Sequence, residues 1–219
     1  MLFNTIEFVV FFLAVLTIIV VIKNRRFHHI FLVGASYFFF YFSSNILLTL
    51  LIFSTILDYF VAQEIWKAKS KAKKKVLLIV SLCGNLGLLG FFKYADFAIV
   101  QLNLLGNSID LTTSFPMLNL LLPIGISFYT FQTISYTVDV YRGILKPSKS
   151  FSEFALFVSF FPQLVAGPIL RAKDFLPQLR EKLSANTNGI NLRQIIIDNA
   201  NLKIGITLMS FGFLKKMFF

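Results

Sequence analysis

The sequence predicts an all-α fold, a polytopic transmembrane helical protein with one re-entrant element. Three observations carry that reading. Hydrophobic residues fill 57% of the 219 positions and charged residues 14%, against about 25% charged in soluble domains, and the mean hydropathy is +0.76. The apolar residues come in blocks long enough for a hydrocarbon layer about 30 Å thick, which takes roughly 20 helical residues. Short clusters of Lys and Arg separate the blocks, where positive charge holds a loop on the cytoplasmic side. The whole of 1–219 therefore reads as a single transmembrane domain made for a lipid bilayer.

The formal charge of +11 is the kind of excess that phosphate contacts require. Here the cations sit between apolar blocks and report topology, so no nucleic-acid partner is expected. Cys83 is the single cysteine, which excludes an intrachain disulfide and a cysteine-rich metal site; it reads as a small apolar helix residue.

Residues 5–22 are apolar after Glu7 and end at Lys23, Arg25 and Arg26. No positive n-region precedes them, so they read as a retained span and not a signal peptide. The run 27–66 is interrupted at Ser43, Ser44 and Asn45, whose side chains compete with helix hydrogen bonds. With basic clusters on both flanks, Lys67 to Lys75 being the second, this region must return to the side it left. It reads as a hairpin of two short helices, crossing or shallow.

Residues 76–92 form the next span, with Gly84, Gly87 and Gly90 on a stripe that allows a neighbouring helix close approach; a ligand path along the glycines is the alternative. The mixed stretch 93–116 reads as an extracytoplasmic connection with a short interfacial helix. A span over 117–140 follows, kinked by Pro123 and Gly125, and Arg142, Lys146 and Lys149 mark the inside again. The stretch 151–169 is apolar but broken by Pro162, Gly167 and Pro168. Irregular backbone at membrane depth needs protein or a watered cavity around it, which predicts a re-entrant element. Residues 174–201 read as a cytoplasmic amphipathic segment, with a polar loop as the alternative. The run 204–219 is apolar, short for a span and broken by Lys215 and Lys216.

Chemistry has few places to sit. His28 and His29 are the only histidines; neighbours on a helix point about 100° apart, so they do not chelate as an i, i+4 pair would, and interfacial anchoring is expected. No phosphate loop, nucleophile elbow or HExxH motif is present, and no metal site is expected. Polar groups at membrane depth usually face a bundle interior or cavity, and two clusters qualify. In 127–143, SFYTFQTISYTVDVYRG, the residues Tyr129, Gln132, Tyr136, Asp139 and Arg142 fall on one helical stripe. Asp139 and Arg142, three apart, suit either a charge pair or contact with a substrate. In 160–171, FFPQLVAGPILR, the residues Gln163, Gly167, Pro168 and Arg171 surround an irregular backbone that can offer its amides to a polar ligand.

These two stretches, with MLFNTIEFVVFF, FKYADF and FGFLKK, resemble signature stretches of the membrane-bound O-acyltransferase family, and within it the alginate O-acetylation branch. The resemblance implies a ring of transmembrane helices around a thinned centre with a tunnel, in a bacterial cytoplasmic membrane. It implies transfer of an acyl group from a donor such as acetyl-CoA, with no bound cofactor, to a hydroxyl of an exopolysaccharide or other envelope glycan. Extracytoplasmic acetyltransferases are the implied partners. The nine polar or irregular residues above would then line a substrate tunnel or form a structural polar network. The family's central histidine has no counterpart here, so no catalytic residue is assigned, and the chain resembles an amino-terminal portion of a family member: a truncated frame, or one of two separately encoded halves. A non-catalytic scaffold or docking subunit is the competing reading. A transporter would need inverted repeats of interrupted helices, and only one such region is present.

Overall fold

A computed structural model describes residues 5–22, 25–108, 115–120, 125–164, 167, 170–184 and 199–218. Among them the regular structure is all helical. In chain order the helices are α1 (Ile6–Val21), α2 (Arg25–Ser44), α3 (Leu48–Lys67), α4 (Lys71–Ser108), α5 (Ile126–Tyr141), α6 (Phe151–Ser159), α7 (Phe161–Leu164), α8 (Ala172–Ser184) and α9 (Asn199–Phe218). Two stretches are long and apolar enough to cross a membrane: α2 with α3, taken together from Phe27 to Lys67, and α4. These two stretches fit a membrane protein, and α1 and the α6–α7 pair are shorter apolar helices.

Helix α1 starts on Thr5, whose hydroxyl accepts from the Phe8 amide at 3.4 Å. Its end is finished from outside. The ring Nε2 of His28 lies 2.5 Å from the carbonyl of Ile22, the C-cap of α1. A carbonyl only accepts, so Nε2 carries the proton and satisfies a carbonyl that the ending helix leaves unpaired. His28 is fully buried. The expected interfacial anchoring of His28 is therefore corrected: the ring is a cap beneath the α1 terminus.

The break expected near Ser43 to Asn45 is present as one 3₁₀ turn, Asn45–Leu47. Asn45 has a φ of 54°, a left-handed conformation that Asn tolerates better than most residues. Tyr37 of α2 lies against Thr55 of α3, so the two helices run back along one another. The arms are not short, however. Each has 20 residues, about 30 Å at 1.5 Å per residue. Ser43 does not break α2 because its hydroxyl bonds back to the Phe39 carbonyl at 3.0 Å, within the helix.

A larger correction concerns 93–108, expected as part of a loop. It continues α4, a helix of 38 residues and about 57 Å, nearly twice the hydrocarbon thickness. Lys93, Asp96 and Asn103 carry polar side chains but no backbone defect, and the helix needs a backbone reason to stop. Asn103 and Asp96 instead hold the extended strap 115–120. The Asn103 side chain accepts from the Phe115 amide at 2.8 Å and donates to its carbonyl at 2.9 Å. Asp96 accepts from the amides of Leu118 at 2.8 Å and Leu120 at 3.3 Å.

The expected span 117–140 begins in helix only at Ile126, after Gly125; Pro123 lies outside the described residues. Helix α9 has 20 residues, not the short run expected, because 199–203 join it. Helix α8 is the amphipathic element expected after 174, with Leu176 buried and Lys173, Asp174 and Gln178 exposed, while 185–198 lie outside the described residues.

Of the glycine stripe, only Gly84 carries a close approach: a Cβ there would lie 2.6 Å from Leu57 Cδ2, whereas at Gly87 and Gly90 the space is open. Gly84→Ile is accordingly expected to cost about 1–3 kcal/mol, recovered in part by Leu57→Ala. Gly87→Ile and Gly90→Ile should stay within about 0.5 kcal/mol. Thermal unfolding in detergent checks the order; equal losses at all three positions would reject it.

Helices α3, α4 and α5 pack on one another, and α2 packs on α6. One apolar core joins Leu51, Val61 and Ile65 of α3 to Tyr136 and Val140 of α5 and Phe154 and Phe157 of α6. A second joins Phe8 and Val15 of α1 to Phe39 of α2, Leu156 of α6 and Phe161 of α7. Helix α6 belongs to both and is buried from Glu153 to Ser159. A helix apolar on every side is stable only inside a bundle.

Candidate functional site

The site is built on the interruption between α6 and α7. Pro162 has no amide hydrogen, so the carbonyl of Val158 loses its helical donor. The amide of Phe161 is drawn away as well, to the Ser36 hydroxyl of α2 at 3.3 Å. That frees the carbonyl of Phe157. Two glutamine side chains take the vacant place: Nε2 of Gln132 on α5 at 2.6 Å and Nε2 of Gln163 on α7 at 3.2 Å. The two polar clusters of the sequence thus meet at one backbone oxygen. Gly125 and Gly167 let the chain come this close. A Cβ on Gly125 would sit 2.6 Å from the Leu164 carbonyl oxygen, and one on Gly167 2.6 Å from Gln163 Cα.

Along α5, Tyr129, Gln132, Tyr136 and Asp139 are buried, as the stripe requires. Tyr129 meets the ring of Phe40 edge-on with centroids 6.3 Å apart. The Tyr136 hydroxyl accepts from the Ser148 amide at 3.0 Å, and its ring lies 4.4 Å from that of Phe154. Asp139 Oδ2 is buried without a partner among the described residues. Arg142 does not supply one, because it is exposed and the ion pairs among the described residues are Glu64–Lys67 and Glu153–Arg180. Arg142 is still helical as the C-cap of α5, its amide on the Val138 carbonyl at 2.9 Å, but its side chain is exposed; the chain turns back at Gly143, φ 74°, where the main-chain oxygen of Asp139 accepts the amides of Ile144 and Leu145. Gln163 is buried, Gly167 half-buried and Arg171 exposed. Pro168 lies outside the described residues.

The reading of the sequence passed over a second buried cluster. Asp58 of α3 accepts from the Ser81 hydroxyl and, at 2.8 Å, from Asn85 Nδ2, both on α4, and from Thr137 of α5 at 3.2 Å. Ser54 donates to Asn85 Oδ1 and lies 3.5 Å from the Thr133 hydroxyl. Six buried side chains thereby tie three helices. The signal was legible: Ser54 and Asp58, Ser81 and Asn85, and Thr133 and Thr137 are three polar pairs at i, i+4, one on each of three apolar helices. That spacing puts each pair on one face, and lipid tails give interhelical hydrogen bonds no competition. With its oxygens taken by three donors, Asp58 acts as a fastener.

A third cluster closes the end of the bundle that gathers the basic residues around Lys67, Lys71 and Lys149. Ser148, fully buried, joins three helices. Its amide bonds Tyr136, its carbonyl accepts from Gln63 of α3 at 2.6 Å, and its hydroxyl donates to Glu153 of α6 at 2.5 Å. Glu153 also takes a two-point hydrogen bond from Arg180 of α8, 3.0 Å from Nε and 2.8 Å from Nη2, a geometry that Arg matches and Lys does not.

Burial works against ionising Glu153, but the Arg180 and Ser148 hydrogen bonds and the Arg180 charge outweigh it and hold the carboxyl below its ordinary value. A carboxyl lowered in the folded state adds stability above the ordinary carboxylate range, lost as pH falls through the lowered value. Amide protection in α8 is therefore expected to be high at neutral pH and to drop on acidification. In Arg180→Met it should be low at both. Hydrogen exchange checks this, and equal protection of α8 in the two proteins at neutral pH would reject the clasp.

No group of three or more His, Cys, Asp or Glu side chains that could hold a metal ion occurs among the described residues. What the arrangement offers chemically is a lining of amide, hydroxyl and carboxylate groups inside an apolar bundle.

The chain is 36% identical over 192 residues to a peptidoglycan O-acetyltransferase of Helicobacter pylori, a match covering 77% of this chain and 34% of that protein. It is 38% identical over 176 residues to the probable alginate O-acetylase AlgI of Pseudomonas aeruginosa, covering 77% of this chain and 30% of that protein. To the corresponding protein of Pseudomonas putida it is 37% identical over 165 residues, 75% of this chain and 31% of that one. The chain spans about a third of the length of these relatives. No family model and no solved structure matches it. Two of the stretches that carried the resemblance meet at the Phe157 carbonyl, and with relatives from both the peptidoglycan and alginate groups the chain belongs to the membrane-bound O-acyltransferase family, in the branch of the alginate O-acetylation proteins.

Proposed function

We propose that this chain serves in O-acyl transfer at a bacterial cytoplasmic membrane, moving an acyl group from a donor such as acetyl-CoA to a hydroxyl of an exopolysaccharide or another envelope glycan. The observation that carries the reading is the 36–38% identity to named O-acetyltransferases over about three quarters of this chain. In this reading the chain is multi-pass, with the basic end of the bundle in the cytoplasm. The α6–α7 interruption is the re-entrant element of a partial helix ring, 174–201 is a cytoplasmic segment, and extracytoplasmic acetyltransferases complete the transfer.

The residues assigned to the tunnel wall or its polar support are Tyr129, Gln132, Tyr136, Asp139, Arg142, Gln163, Gly167, Pro168 and Arg171. None is assigned as the catalytic base. A general base within hydrogen-bond reach of the acceptor hydroxyl is needed for such a transfer, and the reading leaves that role outside these nine.

Removing the chain from the cells that make it is expected to lower alkali-released acetate from purified envelope glycans, with recovery when it is restored. Unchanged acetate would reject acyl transfer and leave a scaffold or docking role.

A further inference from the structure

We infer that Gln163 is a ligand-binding acceptor, its side-chain oxygen Oε1 taking a hydrogen bond from an N–H or O–H group of one of the two acyl-transfer reactants; this rests on the acyl-transfer reading above. The orientation of the amide is fixed by chemistry. The Phe157 carbonyl only accepts, so the Gln163 atom 3.2 Å from it is Nε2, and Oε1 points the other way. Oε1 is buried with no partner among the described residues, in a residue 8% exposed. An unpaired acceptor at this depth is costly, and lipid tails cannot satisfy it.

Four neighbouring amides among the described residues are already committed. The Phe161 amide goes to Ser36, those of Gln163 and Leu164 both to the Phe160 carbonyl at 3.1 Å, and that of Gly167 to the main-chain oxygen of Gln163 at 2.9 Å. Gly167 adds no side chain over the group, and the 2.6 Å approach at its Cβ position keeps it so. The missing partner is therefore a donor brought by a bound molecule. Amide N–H groups of a pantetheine thioester and hydroxyls of a glycan share that chemistry.

The test uses the whole enzyme that contains this chain, in lipid nanodiscs, with acetyl-CoA and an envelope-glycan oligosaccharide each varied. Gln163→Met is expected to raise one of the two KM values about ten-fold, the size of one neutral hydrogen bond, and the reactant affected identifies the donor group. Gln163→Glu, which keeps an acceptor oxygen at the position but alters the bond to Phe157, should raise that KM less than Gln163→Met does while lowering the melting temperature. Ser36→Ala, which removes the acceptor of the Phe161 amide at the same interruption and spares Oε1, should lower the melting temperature without a selective KM change. If both KM values stay unchanged in Gln163→Met, or Ser36→Ala reproduces its KM shift, the oxygen serves no ligand and Gln163 is only a brace. An unsubstituted enzyme that transfers no acyl group would instead overturn the functional reading.

Discussion

Gly125→Ala is expected to destabilise the protein by about 2–4 kcal/mol, the sum of a left-handed backbone cost and an overpacked contact. Gly125 has a φ of 79° and opens α5, and a Cβ there would lie 2.6 Å from the carbonyl oxygen of Leu164. That oxygen is main chain and cannot rotate away, so α5 and α7 must part. Their separation would pull Gln132 and Gln163 from the Phe157 carbonyl they share. Gly143 provides the control: its φ is 74°, but the space around it is open, so Gly143→Ala should cost only the backbone part, about 1–2 kcal/mol. Thermal unfolding in detergent measures both. Should Gly125→Ala prove no worse than Gly143→Ala, the close approach of α5 to α7 is wrong.

Asp58→Leu is the second large effect. Leucine leaves the Ser81 and Thr137 hydroxyls without their acceptor and the Asn85 amide with only the Ser81 carbonyl. In membrane bundles each such bond averages about 0.6 kcal/mol, and an orphaned buried donor costs about 1–3 kcal/mol, so a loss of about 2–4 kcal/mol is expected. The stronger test is non-additive. Replacing donors and acceptor together by apolar groups removes the orphans, so Asp58→Leu with Ser81→Ala and Thr137→Val should be more stable than Asp58→Leu alone, Asn85 keeping its bonds to the Ser81 carbonyl and the Ser54 hydroxyl. A triple variant less stable than the single one would show that Asp58 does not act through these donors.

Both effects arise where the sequence was only half legible. The stripe of Tyr129, Gln132, Tyr136 and Asp139 was readable because helical periodicity puts them on one face, and all four are buried. The same rule put Arg142 on that face, but its side chain is exposed, since periodicity gives a face and not how deeply its last turn is covered. Asp58 was missed although its isolation among apolar residues is a strong signal at membrane depth. Its partners lie 23 to 79 residues away, and distance along the chain hides a network that proximity makes plain. The run 93–108 was misread for the opposite reason: Lys93, Asp96 and Asn103 looked like loop residues by composition, yet a polar side chain does not stop a helix.

By itself the sequence determined the solvent. Long apolar blocks with basic clusters between them have one stable home, a bilayer, because their backbone groups must be satisfied within helices and their side chains cannot be covered in water. It also located the interruption at Pro162, since a missing amide hydrogen is a property of the residue. Tertiary structure alone decided that the oxygen released there would be claimed by Gln132 and Gln163. It likewise decided that Ser54, Asp58, Ser81, Asn85, Thr133 and Thr137 would join three helices, and that Glu153 would find Arg180. The physical reason is that hydrogen bonds act over about 3 Å, and only the packed bundle brings groups from distant turns within that reach.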